Sequence, residues 1–184
     1  MRLVWRCGAG LQPCNGHARC QLLHVLPGRV SRLPDFHYTG LHRYHVRIAT
    51  WDRVAHFTEA ATILPVRDQL LQLAPRHDFE VSAYCFMPDH VHVLVEGLSE
   101  GAVLTTFVAR WKQRTGYRFA RAAREAGRQP VRLWQPTYFD RVLRNDEATR
   151  AVALYIIANP VRAGLAASVQ EYPHVWCRWS ADEM

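Results

Sequence analysis

The chain of 184 residues is 49% hydrophobic and 21% charged, the balance of one ordinary globular domain, which excludes disordered, collagenous and low-complexity classes. No stretch approaches the ~18 consecutive apolar residues of a membrane-spanning helix, and no long apolar run follows Met1 before Cys7 and Pro13, so neither a span nor a secretory leader is expected. The net charge is +7 and unevenly spread: residues 101–150 hold ten Arg and one Lys against four acids, whereas residues 31–100 hold six Arg against nine acids. A near-neutral body with a basic block points to an acidic polymer as partner. Lys112 is the one lysine among 23 basic residues. Arginine suits phosphate contact, and a GC-rich genome would produce the same usage.

Residues 1–31 carry four Arg and no acid and read as a basic, flexible arm, because Gly8, Gly10, Pro13, Asn15, Gly16, Pro27 and Gly28 interrupt every candidate element. Cys7, Cys14, His17 and Cys20 sit close together there, without zinc-finger spacing or a second ligand pair. Five cysteines at no repeating interval make no disulfide framework and fit a reducing cytosol. The remaining residues, 32–180, read as one domain, large enough for a single core.

Within it the elements follow in order. Tyr44-His45-Val46-Arg47-Ile48-Ala49-Thr50 alternates and is rich in β-formers, predicting a strand. Phe57-Thr58-Glu59 is a staple and N-cap opening a helix that runs to about Ala74, with Pro65 marking either a kink or the helix's proper start. Strands are predicted over Phe79–Phe86 and His90–Glu96, joined as a hairpin by Met87-Pro88-Asp89. A long helix spans 101–126, with Leu104, Phe107, Val108 and Trp111 as its apolar stripe and Arg110, Arg114, Arg118 and Arg121 stacked beside it. Trp134–Leu143 predicts an irregular fourth strand, and Asp146–Asn159 a final helix ahead of Pro160. This β-α-β-β-α-β-α order predicts an α+β, ferredoxin-like fold: an antiparallel sheet with helices packed on one face, plus a C-terminal helix.

Two constellations could carry chemistry. In His90-Val91-His92, residues i and i+2 of a strand share a face, so the imidazoles project side by side at a spacing that a divalent ion bridges. The same pattern also describes an ordinary polar strand face. Tyr155 and Asn159 are i and i+4 on the last helix, which puts a hydroxyl and an amide together; they equally describe a core-edge tyrosine and a helix C-cap before a proline. The arginine stripe, extended by Lys112, Arg128, Arg132, Arg141 and Arg144, fits either a DNA backbone track or a solvated face. Trp134 and Tyr138 are candidates for base stacking or for the core.

Taken together, Arg32-Leu33-Pro34, Tyr44-His45-Val46, Met87-Pro88-Asp89-His90-Val91-His92, Trp134-Gln135-Pro136, Tyr138-Phe139-Asp140, Arg144-Asn145 and the run from Tyr155 to Gly164 resemble the REP-associated tyrosine transposases, a branch of the single-tyrosine HUH (His-hydrophobic-His) transposases. The resemblance spans about Arg32 to Trp179. It implies that His90 and His92 bind Mg2+ or Mn2+, that Asn159 stands at the third ligand position, and that Tyr155 is the nucleophile on the C-terminal helix. It implies a single-stranded DNA endonuclease and strand transferase acting on hairpin repeat elements through a 5′-phosphotyrosine, as monomer or homodimer, in the cytoplasm at the nucleoid. DNA contacts are then expected from Arg110, Lys112, Arg114, Arg118, Arg121, Trp134, Arg141 and Arg144. A guide strand would be read near Arg32–Arg43. The closing Tyr172-Pro173-His174-Val175-Trp176 departs from the family's Trp-Ser-Ser run. The alternative is a domesticated, catalytically idle hairpin binder, against which intact His90, His92 and Tyr155 argue.

Overall fold

The computed structural model describes residues 36–144 and 146–179. The expected basic arm over 1–31, its Cys7, Cys14, His17 and Cys20, and residues 32–35 of the expected guide-reading segment lie outside the described residues. Five strands form one antiparallel sheet: β1 (Arg43–Ala49), β2 (Phe79–Met87), β3 (His90–Gly97), β4 (Phe139–Leu143) and β5 (Val175–Cys177), in spatial order β4-β1-β3-β2-β5. Four of them reproduce the ferredoxin-like arrangement expected from element order; β5 extends it on the β2 edge. The sequence reading assigned no strand there, because three residues with an exposed Trp176 carry no legible alternation. Pairing with Ala83–Cys85, and the Tyr172 hydroxyl donating to the Phe86 carbonyl at 2.6 Å, hold the segment in place.

Alternation along the strands divides the sheet into two unlike faces. Tyr44, Val46 and Ile48 of β1 and Val91, Val93 and Val95 of β3 face α1 (Ala60–Leu73) and α2 (Leu104–Glu125), forming an aromatic-rich core with Phe57, Phe79, Phe86, Phe107 and Trp111. Trp111 is 1% exposed, and its indole N–H donates to the Val66 carbonyl at 3.0 Å. The opposite face carries Ala83, Cys85, Met87, Leu94 and Leu143, against which α3 (Asp146–Ile157) packs Ala153 and Ile156. Small side chains on both partners let that helix approach closely, and burial pushes the Cys85 thiol up to about 12, leaving it an inert packing group.

Local departures from expectation have physical causes. Helix α1 begins before Pro65 and runs through it, since Pro65 sits early enough that few backbone bonds are lost. The fourth strand shrinks to Phe139–Leu143: Pro136 cannot donate to a ladder, and the Lys112 ammonium instead gathers the carbonyls of Gln135 and Pro136 at 2.7 and 2.8 Å. The final helix breaks at Ala158. A short α4 (Asn159–Arg162) follows, with Pro160 in its first turn, where a missing N–H costs nothing, and Gly164 at φ +70° ends it. Among the described residues no helix is long and apolar enough to cross a membrane.

Candidate active site

The hairpin between β2 and β3 sets the first side chains. Met87 pairs with His90 across the Pro88-Asp89 turn, and the turn is fastened from outside. Phe57 N–H donates to the Pro88 carbonyl, and both Thr50 N–H and its hydroxyl donate to the Asp89 carbonyl, each at 2.9 Å. His90 and His92 therefore leave a rigid turn on the face opposite the aromatic core. Beside them on β1, Arg47 stands directly across from His92, and His45 lies one step further along the same face.

The imidazoles form a chain of hydrogen-bond contacts. Asp89 Oδ1 lies 2.6 Å from His90 Nδ1, and Asp89 Oδ2 is held by Arg53 at 3.0 Å. Because an ionised carboxylate only accepts, the His90 proton is on Nδ1 and its Nε2 is bare. His90 Nε2 lies 3.1 Å from His92 Nε2, and His92 Nδ1 lies 2.9 Å from His45 Nε2. Burial lowers the pKa of all three: His45 falls to about 4, with Arg47 and Arg141 adding to the effect, and His92 lies well below the usual histidine range. His90 is lowered by burial in spite of Asp89 beside it. Asp89 is itself lowered, since His90 and Arg53 outweigh its partial burial. The three rings are thus neutral at physiological pH, the state in which imidazole is a ligand.

Two proton arrangements fit the ring chain. In one, His92 Nε2–H donates to His90, and His45 Nε2–H donates to His92 Nδ1. In the other, His92 Nδ1–H donates to His45, and both facing Nε2 atoms are bare. Two bare nitrogens repel each other unless a cation lies between them. Ligands ~2.1 Å from one ion and about 90° apart stand roughly 3.0 Å from each other, which the 3.1 Å separation meets. The donor set therefore fits a divalent ion held on one edge by His90 and His92. His45 cannot join as a ligand, because its Nε2 is engaged at the far side of the His92 ring. Among the described residues no cluster of three or more His, Cys, Asp or Glu is arranged around a metal position.

From above the sheet, α3 lowers Tyr155 onto this patch. Its ring centroid lies 6.1 Å from that of His92 and 6.2 Å from that of His45, both edge-on. The Arg162 guanidinium lies over the same ring at 4.8 Å. Asn159 opens α4 beside it. Its amide nitrogen donates to the carbonyls of Tyr155 and Ile156 at 2.8 and 3.3 Å, tying the amide to the tyrosine's own turn. The C-cap reading of Asn159 gives way to a helix-opening position, and the core-edge reading of Tyr155 holds only for its flank, which packs with Ile156 against the sheet.

The expected DNA-binding residues fall in different places. Arg141 is paired across from His45 on the site's face, and Arg144 follows the end of β4. Arg110, Arg114, Arg118 and Arg121 are exposed on α2, which packs on the reverse face of the sheet. Lys112 is committed to the Gln135 and Pro136 carbonyls. Trp134 is 7% exposed, donates from its indole to the Thr115 hydroxyl at 2.8 Å and packs on Phe57 and Trp111, so it belongs to the core and is not presented to a base. Tyr138 is half-buried beneath Lys112. The sequence reading gave no role to His45, Arg47, Asp89 or Arg162. The signal for the first two was present in the β1 alternation, which puts both on the polar face of that strand.

Known proteins resemble this chain in sequence and in fold. The family model described as "Transposase IS200 like" matches residues 38–159, which takes in the histidine pair, Tyr155 and Asn159. A curated relative from Escherichia coli (strain K12), "REP-associated tyrosine transposase", is 25% identical over 137 residues, covering 71% of this chain and 78% of its own. The fold is shared with a solved REP-associated tyrosine transposase bound to a REP hairpin, at a TM-score of 0.63 and 18% identity over 79% of this chain and 81% of that one. The chain belongs to the IS200-like transposase family, and within it is similar to the REP-associated tyrosine transposases.

Proposed function

We propose that this transposase is a metal-dependent single-stranded DNA endonuclease and strand transferase that works through a covalent 5′-phosphotyrosine at Tyr155. The observation that carries the reading is the meeting, within one chain, of the Tyr155 ring with His92 of the neutral histidine pair, at 6.1 Å between centroids. His90 Nε2, His92 Nε2 and the Asn159 amide oxygen would hold Mg2+ or Mn2+. When bound, the ion supplies Lewis-acid polarisation of a phosphate and neutralises charge that develops on it. Asp89 fixes the tautomer of His90 and His45 that of His92, the usual service of groups behind a ligating imidazole.

Tyr155 is the nucleophile of this reading, its ring set against His92. The hydroxyl proton leaves to water or to a substrate oxygen during attack. The phenolic oxygen bonds to phosphorus as the P–O3′ bond breaks, and the departing 3′ oxygen takes a proton and becomes a hydroxyl. Phosphate charge is unchanged, and the phosphotyrosine keeps the energy of the broken bond, so another 3′-hydroxyl can reverse the step. Strand transfer follows from cutting without a separate energy source.

The hairpin held by the structurally similar protein supports a hairpin-forming single strand as substrate. Arg141 and Arg144 would meet the strand beside the site, while the α2 row would meet only DNA long enough to pass round the sheet edge. One chain supplies every residue named, so a monomer suffices for cutting, in the cytoplasm on chromosomal repeats. Incubating the protein with a pool of labelled hairpin-forming single strands and Mn2+ tests the reading. A denaturant-stable protein–DNA adduct is expected for the wild type and none for Tyr155→Phe. Tight hairpin binding without any adduct would identify an idle binder, and cutting that survives Tyr155→Phe would identify a hydrolytic enzyme instead.

A further inference from the structure

We infer that Arg47 and Arg162 form a two-arginine clamp for the non-bridging oxygens of the scissile phosphate, an inference that rests on the tyrosine-nucleophile reading for its substrate. Arg47 stands on β1 directly across from His92, and its guanidinium lies 5.6 Å from the Phe139 ring centroid. Arg162 projects from α4, two helical turns beyond Tyr155, and lies 4.8 Å from the centre of that ring. Two separate elements thus bring cations to one histidine, and the charges of both act on it.

Arg43 is bound to Glu96 and Asp146, Arg53 to Asp89, and Arg178 to Glu80. Among the described residues Arg47 and Arg162 have no carboxylate partner, only aromatic faces. Other arginines also lack a carboxylate partner, Arg132 over Trp51 among them; Arg47 and Arg162 differ in standing beside His92. A guanidinium stacked on a ring keeps its in-plane N–H groups directed outward, and these match the oxygens of a phosphodiester. The neutral imidazoles and the amide of Asn159 add no negative charge, and the Asp89 carboxylate is taken up by Arg53 and His90, so even before a metal binds Arg47 and Arg162 leave the patch cationic. A phosphate anion completes it. Placed there, the clamp holds phosphorus against Tyr155 and stabilises the extra negative charge on the equatorial oxygens as the phenolic oxygen arrives.

Two experiments keep the clamp separate from the chemistry it serves. In the Mn2+ adduct assay with hairpin-forming single strands at saturation, Arg47→Gln and Arg162→Gln each slow adduct formation by about 100-fold. The half-saturating DNA concentration changes little, and the thermal midpoint stays where it was. Arg162→Lys recovers part of the rate. Unchanged rates, or losses that track a lowered melting midpoint, would overturn the clamp.

The second experiment needs neither metal nor nucleophile. Dimethyl phosphate, the smallest phosphodiester, is titrated into 15N-labelled Tyr155→Phe protein. The side-chain N–H signals of Arg47 and Arg162, assigned by their loss in the Gln variants, should shift together and saturate. Signals that stay still refute the clamp. A wild type that forms no adduct while both signals shift refutes the Tyr155 reading and leaves the anion site standing.

Discussion

The two faces of the sheet use the same strands for opposite ends. Toward α1 and α2, the alternate positions of β1 and β3 are Tyr, Ile and Val, closed over by stacked and edge-on aromatic rings. Toward α3, the intervening positions are His45, Arg47, His90 and His92, with Leu94 and Ala153 packing only along one flank. A strand period of two lets one residue build the core and its neighbour build the site. The site inherits the rigidity of the sheet, with His45 and His92 buried in it and His90 partly buried. Burial is what keeps the three imidazoles neutral in contact, and the sheet fixes their places.

The comparison breaks most severely if the packed face is opened. Trp111→Ala removes the largest fully buried side chain of that face and should cost about 3–5 kcal/mol of stability, read as a lowered urea midpoint. Per folded molecule, adduct formation should be unaffected, since Trp111 touches nothing on the other side. A smaller and opposite separation is expected from His45. Its pKa of about 4 lies below the ordinary 6.5, so the unfolded chain takes a proton that the folded chain refuses. Stability is therefore full above about pH 6.5 and declines as pH falls toward 4, by about 3 kcal/mol from this residue alone. His90 and His92 act in the same direction. His45→Phe should flatten that acid slope in urea melts at pH 7.5 and 5.

Smaller still is the effect of loosening one support. Asp89→Asn leaves the fold intact but frees the His90 tautomer, and should weaken Mn2+ binding by about 10–100-fold, measured by calorimetry. Least of all should come from the reverse face. Arg114→Gln with Arg118→Gln should leave the rate of adduct formation unchanged at saturation. The pair should lower hairpin affinity a few-fold and reduce its salt dependence by about one phosphate contact per arginine.

Much of this was legible in the chain. The HxH strand and its tight turn are local patterns whose spacing fixes a shared face, whereas the i, i+4 relation of Tyr155 and Asn159 runs across the break at Ala158 and is held by the Asn159 amide donating to the Tyr155 carbonyl. Element order alone predicted the four-strand arrangement. Other features depend on pairing, which spacing does not reveal. That Arg47 faces His92 follows from the β1–β3 register, and that Arg162 covers Tyr155 follows from the break at Ala158. The basic block between 101 and 150 looked like one track because helical period gathers many of its arginines; the packing of α2 puts Arg110, Arg114, Arg118 and Arg121 on the reverse of the sheet, while Arg141 stays on the histidine face. Trp134 is a stacking candidate by sequence, although an indole in a strand more often belongs to the core, and Thr115 accepts its N–H there.

The central claim is that Tyr155, carried by α3 onto the histidine pair, becomes the residue joined to DNA. Trypsin releases residues 151–162 as one peptide holding a single tyrosine, so the adduct formed with Mn2+ can be digested with nuclease and protease and weighed. A nucleotide 5′-phosphate attached to that peptide, at Tyr155 on fragmentation, is the predicted result. Nucleotide mass on any other peptide, or cleaved DNA with peptide 151–162 unmodified at every time point, would contradict it.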